Sequence, residues 1–157
     1  LNNHLSRSTG IKIMSIKIAI GSDHAGFDLK EQLLAYLKTK NYPVSDKGCY
    51  SKERADYPDY GHAVATAVLN READFGILMC GSGNGINMSA NKHKGIRAAL
   101  CWNSEIARLA RQHNDANILV LPARYITESE AKKCVDVFLT ERFEGGRHQA
   151  RIEKIDI

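Results

Sequence analysis

Apolar runs and helix-spaced apolar positions alternate along this chain. Residues 16–20 form a short isoleucine-rich run that ends at Gly21 and predicts a strand. Phe27, Leu29, Leu33, Leu34 and Leu37 then recur at helical spacing, with Ser22 or Asp23 available as cap. Residues 42–44 predict a weaker strand, and a loop rich in turn-forming and charged residues follows as far as Asp56. Ala63, Val64, Ala67 and Val68 outline a second helix face. Residues 75–79 predict the third strand, 86–90 a short helix, 96–101 the fourth strand, 104–112 a helix and 118–121 the fifth strand. Thr127 and Glu130 make a capping-box pattern ahead of a helix with Ala131, Val135, Phe138 and Leu139 on its apolar side. Gly145-Gly146 is expected to break that helix, and residues 148–157 to form a short terminal helix or arm.

Five apolar strands separated by helices imply βαβ units. The expected class is therefore α/β, with a five-stranded parallel sheet covered on both faces. In such sheets ligands bind beyond the carboxyl ends of strands, close to a reversal of strand order. Asp23 and His24 follow the first strand and Cys80 follows the third, so the topology brings them to one edge. Residues 1–13 read as an N-terminal extension (a tag or a tail) ahead of Met14, and residues 14–157 as a single domain.

Composition narrows the field only a little. The chain has 157 residues, enough for one sizeable core. Its 43% apolar and 25% charged content is ordinary for a globular protein, so local motifs must carry the functional argument. The net charge of +4 is spread rather than gathered in runs, which gives no support for nucleic acid binding. No stretch approaches the ~20 apolar residues of a membrane span, and no secretory signal pattern is expected. The four cysteines, Cys49, Cys80, Cys101 and Cys134, include no Cys-x-x-Cys pair, so the metal and redox spacings are absent. Free thiols in the cytoplasm are the simplest setting.

The candidate chemistry begins at Cys80. An apolar run ends on this thiol, and Gly81, Gly83 and Gly85 follow with Ser82 and Asn84 between them. Cys80 is either inert packing or a reactive thiol. The glycines favour reactivity, because bare backbone N–H groups at a helix start stabilise a nearby thiolate. The loop itself is either a tight strand-to-helix turn or a cradle for a phosphate or a developing oxyanion. It is neither a dinucleotide fingerprint, since position 86 is isoleucine, nor a P-loop, since no Gly-Lys-Ser/Thr follows. Asp23 is a helix cap or a site residue, and His24 a solvated histidine or a ligand contact. His113 and Asn114 suit a helix end, where histidine complements the dipole and asparagine tolerates the left-handed conformation. Arg147 and Arg151 are four apart, hence on one helical face. They form a solvated basic face, paired with Glu144 or Glu153, or a phosphate clamp that Arg124 could join.

Five motifs taken in order carry a resemblance. They are Gly21-Ser22-Asp23-His24-Ala25-Gly26, Asp56-Tyr57-Pro58-Asp59-Tyr60, Cys80-Gly81-Ser82-Gly83-Asn84-Gly85, Arg111-Gln112-His113-Asn114-Asp115 and Glu144-Gly145-Gly146-Arg147-His148-Gln149. Together they resemble the type B ribose-5-phosphate isomerase family, from Met14 nearly to the end. The resemblance implies a Rossmann-like αβα sandwich and a cytoplasmic aldose–ketose isomerase that needs neither metal nor cofactor. It implies a homodimer or dimer of dimers whose sites draw on both subunits, acting on a small phosphorylated sugar. Carried onto this sequence, Cys80 is the base that moves a proton between C1 and C2, and Ser82 assists transfer to oxygen. Gly81, Gly83, Asn84 and Gly85 lie in the loop whose N–H groups meet the enediolate. His113 opens the furanose ring beside Asn114. Asp23 and Tyr57 lie near the sugar, and His24, Arg124, Arg147 and Arg151 contact phosphate. Alternatives remain open at this stage: a galactose- or allose-6-phosphate isomerase, a non-catalytic phosphosugar-binding module, or a thiol redox protein.

Overall fold

The computed structural model describes residues 16–157. The expected extension at residues 1–13 lies outside the described residues. Five parallel strands form one sheet in the order β2-β1-β3-β5-β4. They are β1 (Ile18–Ser22), β2 (Val44–Asp46), β3 (Phe75–Cys80), β4 (Ala98–Leu100) and β5 (Ile118–Pro122). Among the described residues four α-helices connect them, α1 (Phe27–Thr39), α2 (Tyr57–Leu69), α3 (Asn84–Ala90) and α4 (Ser104–Asn114), and two follow β5, α5 (Glu128–Thr140) and α6 (Arg147–Ile152). This is the parallel sheet covered on both faces that the alternation of strands and helices implied, and the Rossmann-like αβα sandwich that the family resemblance implied.

Period-two alternation divides the core into two layers. Ile18, Ile20, Ile77, Met79, Leu119 and Leu121 meet Leu33 and Leu37 of α1, Ala107 of α4 and Phe138 of α5. Ala19, Leu78, Cys80, Ile118 and Val120 face the other way, against Val64 and Ala67 of α2 and Ile86 of α3. Covering both faces explains why the three central strands are almost continuously apolar. Among the described residues no helix is long and apolar enough to cross a membrane.

The outer strands depart from the apolar runs. β2 starts at Val44, two residues beyond the expected position, because Val44 pairs with Ile18 while the carbonyl of Pro43 accepts the Ile18 N–H at 3.0 Å. β4 keeps only Ala98–Leu100 of the expected 96–101. The Thr127 hydroxyl caps α5 by accepting the Glu130 N–H at 3.1 Å. The other half of the capping box is diverted, since the Glu130 carboxylate accepts the N–H of Ser104 at 2.7 Å and ties α5 to the start of α4. Helix α5 stops at Thr140, ahead of Gly145-Gly146, where Glu141 turns extended and its carboxylate takes Arg108 at 3.1 Å and Gln112 at 2.9 Å.

Candidate active site

The strand order reverses between β1 and β3. The chain leaving β1 runs to β2 on one side, and the chain leaving β3 runs to β4 on the other. Their carboxyl ends therefore open a crevice, the usual ligand position in this architecture. Cys80 ends β3 with its side chain in the α2/α3 layer and 4% of the residue exposed. The loop after it is fastened to β5, because the carbonyls of Cys80 and Gly81 accept the N–H groups of Ala123 (2.9 Å) and Arg124 (3.0 Å).

Gly83 then turns into α3 with φ of +82°, and a Cβ there would run into the Leu100 side chain. Only glycine meets both demands. Ser82 is exposed, and its Oγ accepts the Asn84 N–H at 3.2 Å. The leading N–H groups of α3 have no acceptor inside the helix. The Tyr57 ring lies against Gly85, where a Cβ would stand 2.5 Å from Cζ. The Arg124 guanidinium reaches Gly81, where a Cβ would stand 3.3 Å from Nη1. Ser22 pairs with Met79 across the sheet, which places Asp23 one step on, beside Cys80. Asp23 is buried, and one carboxylate oxygen accepts the N–H groups of Ala25 (3.0 Å) and Gly26 (3.2 Å). It caps the short 3₁₀ turn of His24–Gly26 rather than α1. Nδ1 of His24 sits 3.2 Å from both the backbone N and O of Ala55.

The remaining candidates lie at the opposite edge. Helix α4 runs back against the strands, so its last residues, His113 and Asn114, arrive at the amino ends. The Asn117 carbonyl accepts the N–H of Gly76 near the start of β3 (2.9 Å). Four residue steps along the strand separate Gly76 from Cys80, about 13 Å of rise. Glu144 donates its N–H to the Gln112 carbonyl at 3.0 Å, which fixes the approach to α6 against the same helix end. Arg147 and Arg151 are exposed on α6, and among the described residues neither pairs with a carboxylate. Glu153 instead takes Gln149 (2.9 Å), and Glu144 lies 3.8 Å from His113 Nε2. Within one chain, then, Arg124 does not join the tail arginines, because the sheet stands between them.

Residues given no role by the motifs support this second cluster. The left-handed cap of α4 is Asp115, with φ of +44°, rather than Asn114. Arg97 grips it from one side, donating to the Asn114 and Asp115 carbonyls at 2.9–3.1 Å. Arg111 grips it from the other, donating to Asp115 Oδ1 (2.9 Å) and the Ala116 carbonyl (2.7 Å). The Arg111 guanidinium is buried over the Phe75 and Phe138 rings at 4.8 and 5.7 Å. A cavity of about 320 Å³ beside this turn, lined by Asn91, Arg97, Asn114 and Asp156, lies at the far end of the sheet from Cys80.

His148 stacks on His113 with ring centroids 4.3 Å apart and planes 13° apart. Burial pushes the His148 pKa below the ordinary histidine value, and the charges of His113, Arg147 and Arg151 push the same way against Glu144. His113, Glu144 and His148 offer ligand atoms within 4.8 Å of one another. The lone pairs of near-parallel rings run side by side, however, so one ion would sit far out of at least one ring plane. This arrangement does not fit a metal centre.

The cysteines differ in setting. Burial pushes the Cys101 and Cys134 thiols up to about 12, and the Cys49 thiol donates to the Ser51 carbonyl at 3.3 Å. Of the four, Cys80 alone stands at the head of a glycine-rich helix start.

The fold and this edge together define an α/β protein with a ligand crevice at the carboxyl ends of its strands. Comparison with known proteins sharpens that class. Residues 18–155 match the Ribose/Galactose Isomerase family. The chain is 50% identical over 139 residues to ribose-5-phosphate isomerase B of Escherichia coli K12, covering 88% of this chain and 93% of that one. It is similar to a ribose 5-phosphate isomerase structure from Thermotoga maritima, with TM-score 0.89, 56% identity, and coverage of 90% and 97%. It is also similar to ribose-5-phosphate isomerase B of Mycoplasma genitalium solved with bound ribulose 5-phosphate, with TM-score 0.85, 51% identity, and coverage of 90% and 95%. The chain belongs to the Ribose/Galactose Isomerase family and is an isomerase.

Proposed function

We propose that this isomerase interconverts ribose 5-phosphate and ribulose 5-phosphate through an enediolate, with Cys80 as base and no metal or cofactor. One observation carries the reading: Cys80 ends β3 directly before the Gly81–Gly85 loop, so its thiol and the backbone N–H groups of the loop stand together at the carboxyl edge of the sheet. The thiolate takes the proton from C2 of the open aldose. The C–H electron pair becomes the C1=C2 bond, and negative charge passes to O1. The thiol then returns the proton to C1, while the O2 hydroxyl proton passes to O1 with help from Ser82. The loop amides stabilise the charge as it forms, which is where a metal-free site gains most of its rate. Asp23 and Tyr57 flank the sugar.

Phosphate recognition and ring opening require the second cluster. In this reading His24 and Arg124 of one chain meet His113, Asn114, Arg147 and Arg151 of a second copy, so the working unit is a homodimer or a dimer of dimers. The separation of the two clusters across the sheet supports this. The names of the similar proteins support the pentose phosphate over galactose or allose 6-phosphate. A cytoplasmic location accords with the four free cysteines. The test is turnover by the purified protein. Wild type is expected to prefer ribose 5-phosphate in kcat/KM over both hexose phosphates. Cys80→Ala is expected to lose at least ~10²-fold in kcat. Full activity in that variant, or a preference for a hexose phosphate, rejects the assignment.

A further inference from the structure

Three side chains meet at the end of α4. His113 is partly exposed, and its Nε2 lies 3.8 Å from a Glu144 carboxylate oxygen. His148 is 7% exposed and stacks flat on the His113 ring. The backbone holds both partners in place, since Glu144 N–H donates to Gln112 and His148 N–H to Gly145. Nε2 of His148 is buried with no hydrogen-bond partner. A doubly protonated His148 would have nowhere to donate that second N–H, whereas the His113 ring faces a carboxylate. The directions of the surrounding charges agree, because Arg147 and Arg151 oppose a further positive charge on His148.

We propose that Glu144 and His148 are positioning residues for His113: the stacked imidazole fixes the plane of its ring, and the carboxylate fixes which nitrogen carries the proton. This rests on the ring-opening role given to His113 above. Ring opening breaks the C1–O4 bond while O4 gains a proton and the anomeric hydroxyl loses one. A general acid serves such a step only when its proton sits on the nitrogen that faces the substrate, and a general base only when that nitrogen carries the lone pair.

The test separates ring opening from enolisation. Ribulose 5-phosphate cannot close to a furanose, so deuterium exchange from heavy water into its C1 reports the Cys80 step alone. Net conversion of ribose 5-phosphate reports both steps. Glu144→Gln and His148→Ala should each lower kcat for ribose 5-phosphate about tenfold, with KM and the C1 exchange rate within about twofold of wild type. His148→Phe, which keeps the flat plate, should recover most of the loss seen in His148→Ala. Unchanged turnover in both Glu144→Gln and His148→Ala overturns the proposal. So does a parallel fall in exchange and turnover, which is the signature of general structural damage. Wild-type turnover in His113→Asn instead overturns the ring-opening reading beneath it.

Discussion

Gly83→Ala is the substitution whose effect can be worked most directly from geometry. Gly83 holds φ of +82°, and an added Cβ would drive into Leu100 Cδ1 and touch the Leu121 backbone at 3.4 Å. The left-handed backbone costs an alanine about 1–2 kcal/mol. Relieving the overlap by moving Leu100 or lifting the loop adds about 1–3 kcal/mol. The sum, roughly 2–5 kcal/mol, corresponds to a fall in Tm of about 5–15 °C for a chain of this size. Gly145→Ala is the internal control: its φ is +69°, but nothing lies within 4 Å of the added Cβ, so only the backbone strain applies. Urea unfolding of both variants measures the difference. Activity should separate them further, since a shift of about 1 Å in the amide loop would cost on the order of 10²-fold in kcat. Equal destabilisation of the two variants, or a Gly83→Ala enzyme with wild-type kcat, would refute the claim that this loop is held to a tight tolerance.

Other consequences follow from burial and pairing. Cys101 and Cys134, with thiols pushed up to about 12, should resist alkylation at pH 8 in the native protein and react fully in denaturant; native labelling of either would contradict the packing described. Lys30→Met removes a fully buried ammonium that bonds Asp46 at 2.7 and 2.9 Å, and should cost about 2–3 kcal/mol in urea unfolding. Lys47→Met, which breaks a more exposed pair with Glu72, should cost less than ~1 kcal/mol, and an equal effect would count against the buried pair. Because the His148 pKa is lowered on folding, the unfolded chain binds more protons as pH falls below the ordinary value of ~6.5. Wild type should therefore lose Tm between pH 7.5 and 5.5 by more than His148→Phe does, and parallel profiles would contradict the burial of a neutral imidazole.

The central strands were legible because burial on both faces leaves an apolar run that turn residues bound on either side. The Thr127 cap was legible because it is a local bond. The start of β2 was not, because pairing to Ile18 sets it, and Tyr42, the apolar cue, packs beside the sheet instead. Cys80 and its loop were readable from adjacent residues, whereas Lys30–Asp46 and Arg97–Asp115 depend on contacts between elements. The placement of His113 and the tail arginines away from Arg124 follows from direction. A helix joining parallel strands must end where the next strand begins, so motifs at helix ends and at strand ends occupy opposite edges. Charge and spacing alone suggested one clamp, and connectivity divides it in two.

Mixing two inactive variants tests the shared site most directly. Cys80→Ala and His113→Asn are each expected to be nearly inactive as homo-oligomers. When they are unfolded together and reassembled in equal amounts, half the dimers are mixed, and each mixed dimer holds one site with both residues intact. The account predicts recovery of about a quarter of wild-type activity, the fraction of sites restored by random pairing of C2 subunits. Recovery of none, or full activity in either variant alone, would contradict it.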